Sequence, residues 1–214
     1  DIERVSARAL AESGNPGEDE SASRHARTVG GYTKLLAPLL HEVSDVVHFG
    51  DPVRRITWRR GHVRVETNGD TYEARAVIIT LPLGVLQSGD VVIDPFPPSM
   101  QRALAGLATG SVVRVTLLFD DRFREQVQIP RNASFLHTPH SPFNIWWTLH
   151  PLRAPVMVGW SGGPPATVLL REGNVEERAV QELARQLGIT GRRMKRLLAA
   201  TFLHDWDADP FSRG

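Results

Sequence analysis

Hydrophobic positions along the chain follow two rhythms. HVRVET, residues 62–67, alternates, with Val63 and Val65 on one side. VRRITW, residues 53–58, alternates less cleanly, with Val53, Ile56 and Trp58 set among arginines. A period of two is the mark of a strand with one buried face. Arg60-Gly61 and Asn68-Gly69-Asp70 separate these runs with turn residues, so residues 53–74 read as a three-stranded antiparallel meander. The next run, AVIIT at 76–80, does not alternate and reads as a strand covered on both faces, usual in a parallel sheet. It runs into Thr80-Leu81-Pro82-Leu83-Gly84, where proline cannot donate to a ladder and the strand must stop.

Further on, SVVRVTLLF (111–119) sets Val113, Val115 and Leu117 against Val112, Arg114, Thr116 and Leu118. It reads as a strand, and so do ASFLHT, FNIWWTL and PVMVGW, with ATFLHDW as the last. In FNIWWTL, alternation puts Phe143, Ile145 and Trp147 on one face and Trp146 on the other. Helical spacing appears after the Gly30-Gly31 turn, at Leu35, Leu36, Leu39, Leu40 and Val43, with Pro38 expected to disturb the first turn. SMQRALAGLA is a short helix. NVEERAVQELARQLGI is amphipathic through Val175, Ala179, Val180, Leu183 and Leu187, with Asn174 as the expected cap. Residues 1–10 read as a helix end, and 11–27 as a polar loop. Strands and helices mixed in this order give an α/β class with α+β character.

Composition narrows the function. With 214 residues, 41% of them hydrophobic and 23% charged, the chain can bury one or two cores. A net charge of +1 without a basic block argues against nucleic acid. No apolar run approaches the roughly 18 to 20 residues of a membrane span, and no signal peptide opens the chain. The absence of cysteine removes disulfides, thiolate metal sites and a cysteine nucleophile, and suits a reducing, cytoplasmic setting. Lys34 and Lys195 are the only lysines, an arginine bias that reads first as genomic habit. His137, His140 and His150 lack ligand spacing, and Gly162-Gly163-Pro164-Pro165 lacks the GK[ST] of a phosphate cradle. Asp205 and Asp207 flank Trp206 without the look of an acid/base pair.

A buried strand ending in Thr-x-Pro presents backbone at the carboxyl edge of a sheet, where doubly wound folds bind ligands. A strand that simply ends at proline accounts for the same residues. Order and spacing add weight. Gly30-Gly31-Tyr32 stands before a Leu-rich helix, and Val53-Arg54-Arg55-Ile56 opens the meander. Val77 to Leu86 reads VIITLPLGVL, and Ile93 to Pro98 follows loosely as Ile-x-x-Phe-x-Pro. Gly110 to Phe119 is a glycine-led strand, and Trp206 to Gly214 reads WDADPFSRG. In this order the segments resemble the flavin-containing amine oxidase family of monoamine, polyamine and L-amino-acid oxidases and histone lysine demethylases. The likeness covers about residues 28–120 and 200–214. The family's Gly-x-Gly-x-x-Gly and its Ala-Gly-Glu segment are not among the 214 residues, and the chain begins with Asp, so it reads as the middle of an enzyme.

The resemblance implies FAD as cofactor and a small-molecule amine as substrate, with O₂ allowed as electron acceptor. A C–H bond next to the amine nitrogen would deliver a hydride equivalent to flavin N5. It places Val53 backbone at the adenine, Thr80 and Pro82 near the adenosine end, and Gly30, Gly31 and Trp206 near the flavin ring. Arg114 stands where the family commonly has a lysine that holds a water against the flavin. Arginine keeps the charge but cannot act as a base, and it either faces the flavin or snorkels outward. Phe143 and Trp147 are candidates for the substrate pocket, or members of a plain hydrophobic sheet face. The implied division is a substrate domain at 1–27 and 91–199 and a partial FAD-binding, Rossmann-like domain at 28–90 and 200–214. Two alternatives stay open: a non-catalytic binding or structural domain without flavin, and a sister flavoenzyme acting on a non-amine substrate.

Overall fold

The computed structural model describes Thr28 and residues 30–214. The turn at Gly30 and Gly31 leads into α1 (Tyr32–Val43) and a single 3₁₀ turn (Ser44–Val46). The meander follows as β1 (Val53–Arg59), β2 (His62–Thr67) and β3 (Thr71–Ala74), paired antiparallel. The first turn needs Gly61, at φ 75°. The second closes when the Thr67 hydroxyl accepts the Asp70 N–H at 2.9 Å. Helix α2 (Leu83–Ser88) then leads to β4 (Val92–Asp94), which joins β1 in parallel and completes a sheet of order β3-β2-β1-β4. Ile56, Val63 and Ile93 form its small core, with Val53, Ile79, Leu86 and Phe96 packed around it. A short α3 (Pro98–Ala105) follows.

The second sheet is larger and fully antiparallel. β5 (Val112–Phe119), β6 (Phe135–His137), β7 (Ile145–Trp147), β8 (Val156–Gly162) and β9 (Leu198–Leu203) lie in the order β6-β7-β8-β5-β9. The alternation of β5 decides how it packs. Val113, Val115, Leu117 and Phe119 are buried beneath α4 (Phe123–Gln126), α5 (Pro164–Glu172), α6 (Val175–Gln186) and α7 (Gly191–Leu197). Each side chain fully removed from water there contributes roughly 1.5–3 kcal/mol. Gly159 completes the fit: a Cβ there would stand 2.7 Å from the buried Trp146 ring.

The α/β class, the meander and the strands of the second half take the expected form. Four expectations are corrected. AVIIT is not a strand; residues 76–80 are irregular and Ile78 is 90% exposed. A strand needs a neighbour to take its N–H and C=O groups, and no described strand lies beside this run. Helix α1 runs through Pro38, and none of its residues is buried. The carbonyl that Pro38 leaves without an N–H faces solvent, which lowers the cost of passing through it. Asn174 precedes α6 without a side-chain capping bond.

The fourth correction concerns Phe143 and Trp147, which do not share a face. Phe143 lies before β7, where its carbonyl accepts the Thr138 hydroxyl, and its ring packs 5.3 Å from Trp146 in the core. The sheets also cross the division expected at 90/91 and 199/200, since β4 pairs with β1 and β9 pairs with β5. The helix and loop expected over residues 1–27 lie outside the described residues.

Candidate functional site

Partners across an antiparallel ladder point to the same side, so register assigns every side chain of the five-stranded sheet to a face. Arg114 stands opposite Trp160, and Thr116 opposite both Val158 and Phe202. Ile145 pairs with Trp160 and His137, and Trp147 with Val158 and Phe135. All of these lie on the face turned away from the helical core, and none joins that core. The result is an open aromatic surface: Phe135 and Phe202 are 56% and 59% exposed, while Trp147 and Trp160 are half-buried among their neighbours.

Arg114 lies on β5, between β8 and β9, exposed on this surface, and its guanidinium has no hydrogen-bond or ion-pair partner among the described residues. The same β5 alternation that buries Val113 and Val115 forces Arg114 outward between them. Trp160 lies along its own strand over Gly162: a Cβ on Gly162 would stand 2.5 Å from the indole. A bare residue two positions on is what lets the ring lie down.

The segment after β9 stays beside the start of β5. Ser111 donates its hydroxyl to Asp207 at 2.5 Å, and Thr167 donates to the Ser111 oxygen at 3.2 Å. This brings the neighbouring Trp206, 49% exposed, to the Ser111 end of the sheet. The Trp206 ring meets His204 edge-on at 4.2 Å, and the His204 ring nitrogen lies 2.7 Å from Asp209. The Phe211 N–H, at 2.8 Å, is the main cause that holds the Asp209 carboxyl below its usual range, with His204 second. Asp205 accepts the N–H groups of Asp207 and Ala208, so it is occupied in shaping the turn.

The same turn reaches the smaller sheet. Arg213 forms a 2.5 Å ion pair with Asp90, and its backbone lies so close to Gly84 that a Cβ there would meet the Arg213 oxygen at 2.1 Å. Gly84 belongs to α2, which Pro82 precedes as its N-cap, the Leu86 N–H donating to the Pro82 carbonyl at 3.1 Å. The Gly214 N–H closes the link to the Trp206 carbonyl at 2.9 Å. Pro82 and Trp206, distant in sequence, are therefore tied through one C-terminal turn.

Thr80 is exposed just before Pro82. Val53 is half-buried at the start of β1, beside a bulge, and packs on the meander core with Ile79. Gly30 and Gly31 open α1 at φ 88° and 85°, and Gly31 has open space where a Cβ would stand. Of the residues singled out from sequence, Arg114 and Trp147 share the open face, Pro82 and Trp206 share the C-terminal turn, and Phe143 stands apart in the core. Trp160, Phe202 and Phe135 were not singled out. Alternation in PVMVGW puts Trp160 with Val158, but the pairing of Trp160 with Arg114 depends on long-range register.

A hollow of about 740 Å³, lined by residues 105–111 with Gly163, Pro164 and Thr167, opens beside Ser111. No helix among the described residues is long and apolar enough to cross a membrane.

A family model described as flavin containing amine oxidoreductase matches residues 12–214. The chain is 33% identical over 106 residues to polyamine oxidase 2 of Arabidopsis thaliana, covering 49% of this chain and 21% of that protein. It is 27% identical over 122 residues to lysine-specific histone demethylase 2 of Homo sapiens, covering 56% of this chain and 14% of that one. Wild-type putrescine oxidase bound to putrescine superposes with a TM-score of 0.69 at 20% identity, over 88% of this chain and 41% of that chain. A putrescine oxidase redesigned in cofactor binding gives a TM-score of 0.71 over the same shares. The chain thus spans less than half of these solved structures and about a fifth or less of the curated relatives.

Proposed function

Because the chain belongs to the flavin-containing amine oxidoreductase family, we propose that it forms the substrate-facing sheet and part of the FAD framework of an amine-oxidising enzyme. The observation that carries this reading is the open aromatic face with Arg114 exposed on β5 and without an ion-pair partner among the described residues. A planar heterocycle suits such a surface: flat rings at Trp147, Trp160 and Phe202 offer stacking area, and the guanidinium offers hydrogen bonds to a ring that accepts them. When bound, FAD supplies the acceptor for the hydride equivalent that leaves the carbon next to the amine nitrogen.

The chain's own residues do the rest. The half-bare backbone at Val53 and Thr80–Pro82 is proposed to hold the adenosine side, with Gly30, Gly31 and Trp206 toward the ring. Residues 28–90 with 200–214 then form the FAD side and 91–199 the substrate side, β4 and β9 being the elements that cross between them. Trp147 and Trp160 wall the substrate, while Phe143 supports the sheet from beneath.

The amine must react in its neutral form. An aromatic surface disfavours the ammonium by poor solvation, and the fixed positive charge of Arg114 disfavours it again by repulsion. Arg114 therefore lowers the proton affinity of the reacting nitrogen without itself moving a proton.

The test is anaerobic. The flavoprotein that contains this chain, purified with its flavin, is mixed with a panel of amines and flavin absorbance is followed. Bleaching by an amine supports the reading, and peroxide formation on admitting air assigns O₂ as acceptor. Absence of bleaching across the panel, with bleaching by a non-amine hydride donor, overturns it.

A further inference from the structure

We propose that the chain carries a second ligand site, an arginine-walled hollow at the far end of the five-stranded sheet, which takes a small phosphomonoester with an apolar or aromatic group. The site is separate from the flavin reading and does not depend on it.

The hollow, of about 280 Å³, opens between three segments: α4 with the residues that follow it, the β7–β8 connection, and the first residues of β8. Register places it. Leu118 pairs with Val156, and Val112 with Gly162. A hollow lined by Val156 and Met157 therefore lies at the opposite end of the β5–β8 ladder from Ser111 and the C-terminal turn. The length of β5, Val112–Phe119, separates the two ends by about 23 Å.

Hydrogen bonds hold its walls in place. The Thr148 hydroxyl donates to the Ala133 carbonyl at 2.8 Å and accepts the His150 N–H at 3.0 Å, which joins the segment before β6 to the one after β7. Arg124 reaches across from α4 and donates from Nη2 to the Ala154 carbonyl at 2.9 Å. Phe123, Val127 and Met157, all buried members of the main core, give the hollow an apolar floor.

The chemistry comes from what converges on that floor. Arg124, Arg131 and Arg153 line this one hollow, and Glu125 is the one acid among its described lining residues. Guanidinium groups gathered in this way repel one another, the more so away from water. The Nε–H of Arg124 is shut off from solvent and has no partner among the described residues, so part of the positive charge already lies in a dry setting. An anion entering the hollow relieves the repulsion and gains forked N–H···O bonds. A double charge suits three arginines set against one glutamate better than a single one, and a phosphomonoester carries about −1.5 to −2 at neutral pH. The volume exceeds what phosphate alone fills, given about 30 Å³ for a water, and the apolar floor suits an organic group attached to it.

The test is calorimetric. The flavoprotein that contains this chain, purified with its flavin, is titrated at about 0.1 M salt with phenyl phosphate, inorganic phosphate and benzoate. Phenyl phosphate is expected to bind at least about tenfold more tightly than either of the others. Arg153→Gln and Arg131→Gln, both at exposed positions, are each expected to weaken phenyl phosphate by about tenfold. Arg124→Gln is expected to weaken it further, and if that variant fails to fold the exposed pair still decides. Arg114→Gln, more than a screening length away, is expected to leave the affinity within about twofold. The proposal is overturned if inorganic phosphate or benzoate binds as tightly as phenyl phosphate, or if the affinity survives both Arg153→Gln and Arg131→Gln. It is also overturned if Arg114→Gln removes the binding, which would put the anion on the open face. The heat of binding is read without any amine, so failure here leaves the flavin-bleaching result to stand or fall by itself.

Discussion

The indole of Trp160 lies over Gly162, two residues further along β8, close enough that a single added carbon would touch it at 2.5 Å. That contact sets how the ring is presented beside Arg114. Gly162→Ala is expected to lift the indole off the strand. Because Trp160 is half-exposed and can move outward, the stability cost should stay near or below about 1 kcal/mol. The checks are a changed Trp160 indole signal with a nearly unchanged melting temperature.

Gly159 makes the opposite case on the other face. Its Cβ would stand 2.7 Å from Trp146, a ring with 0% exposure and no room to retreat. Gly159→Ala is expected to cost about 1–3 kcal/mol by overpacking, lowering the melting temperature by roughly 2–4 °C for each kcal/mol in a chain of this size. The pair of substitutions, measured by thermal unfolding, should therefore differ in the order Gly159→Ala well below Gly162→Ala.

At Gly84 the neighbour is backbone. A Cβ would meet the Arg213 carbonyl oxygen at 2.1 Å, and main chain cannot rotate away as a side chain can. Gly84→Ala is expected to part α2 from the C-terminal turn and break the Arg213–Asp90 ion pair. Faster hydrogen exchange over residues 205–214, with exchange in the β5–β8 ladder unchanged, is the outcome to look for.

The C-terminal turn should also answer to acid. The carboxyl of Asp209 is held below its ordinary value of 3.8, first by the Phe211 N–H and then by His204. A carboxyl depressed in the folded state stabilises it above the ordinary value, and that contribution is lost as pH falls through the depressed one. The Trp206 indole, which meets His204 edge-on, should therefore lose its folded environment only under acid conditions below the usual carboxylate range, as read by its NMR signal. Asp209→Asn should produce part of that change at neutral pH. Loss of the Trp206 environment well above the usual carboxylate range would contradict this role for Asp209.

Much of this was legible in the chain itself. Val113, Val115 and Leu117 announce a buried face, and Arg114 between them must then point to the other side. The glycines at 61 and 69 announce the meander turns. What alternation could not show is where a run stops being a strand. AVIIT has every local mark of one and lacks a described partner, and Phe143 steps out of the rhythm because its carbonyl is held by Thr138. Nor could it show register. Trp160 and Phe202 meet the β5 face through pairings between distant segments, so the aromatic surroundings of Arg114 became visible only in three dimensions.

The most direct measurement is a structure of the flavoprotein containing this chain, with its flavin bound and read around Arg114. The expected result is the flavin ring system lying along the open face, with the Arg114 guanidinium and the Trp160 indole both turned toward the cavity it shares with substrate. Finding that face sealed by the protein's own chain, with the flavin bound elsewhere, would contradict the proposed site.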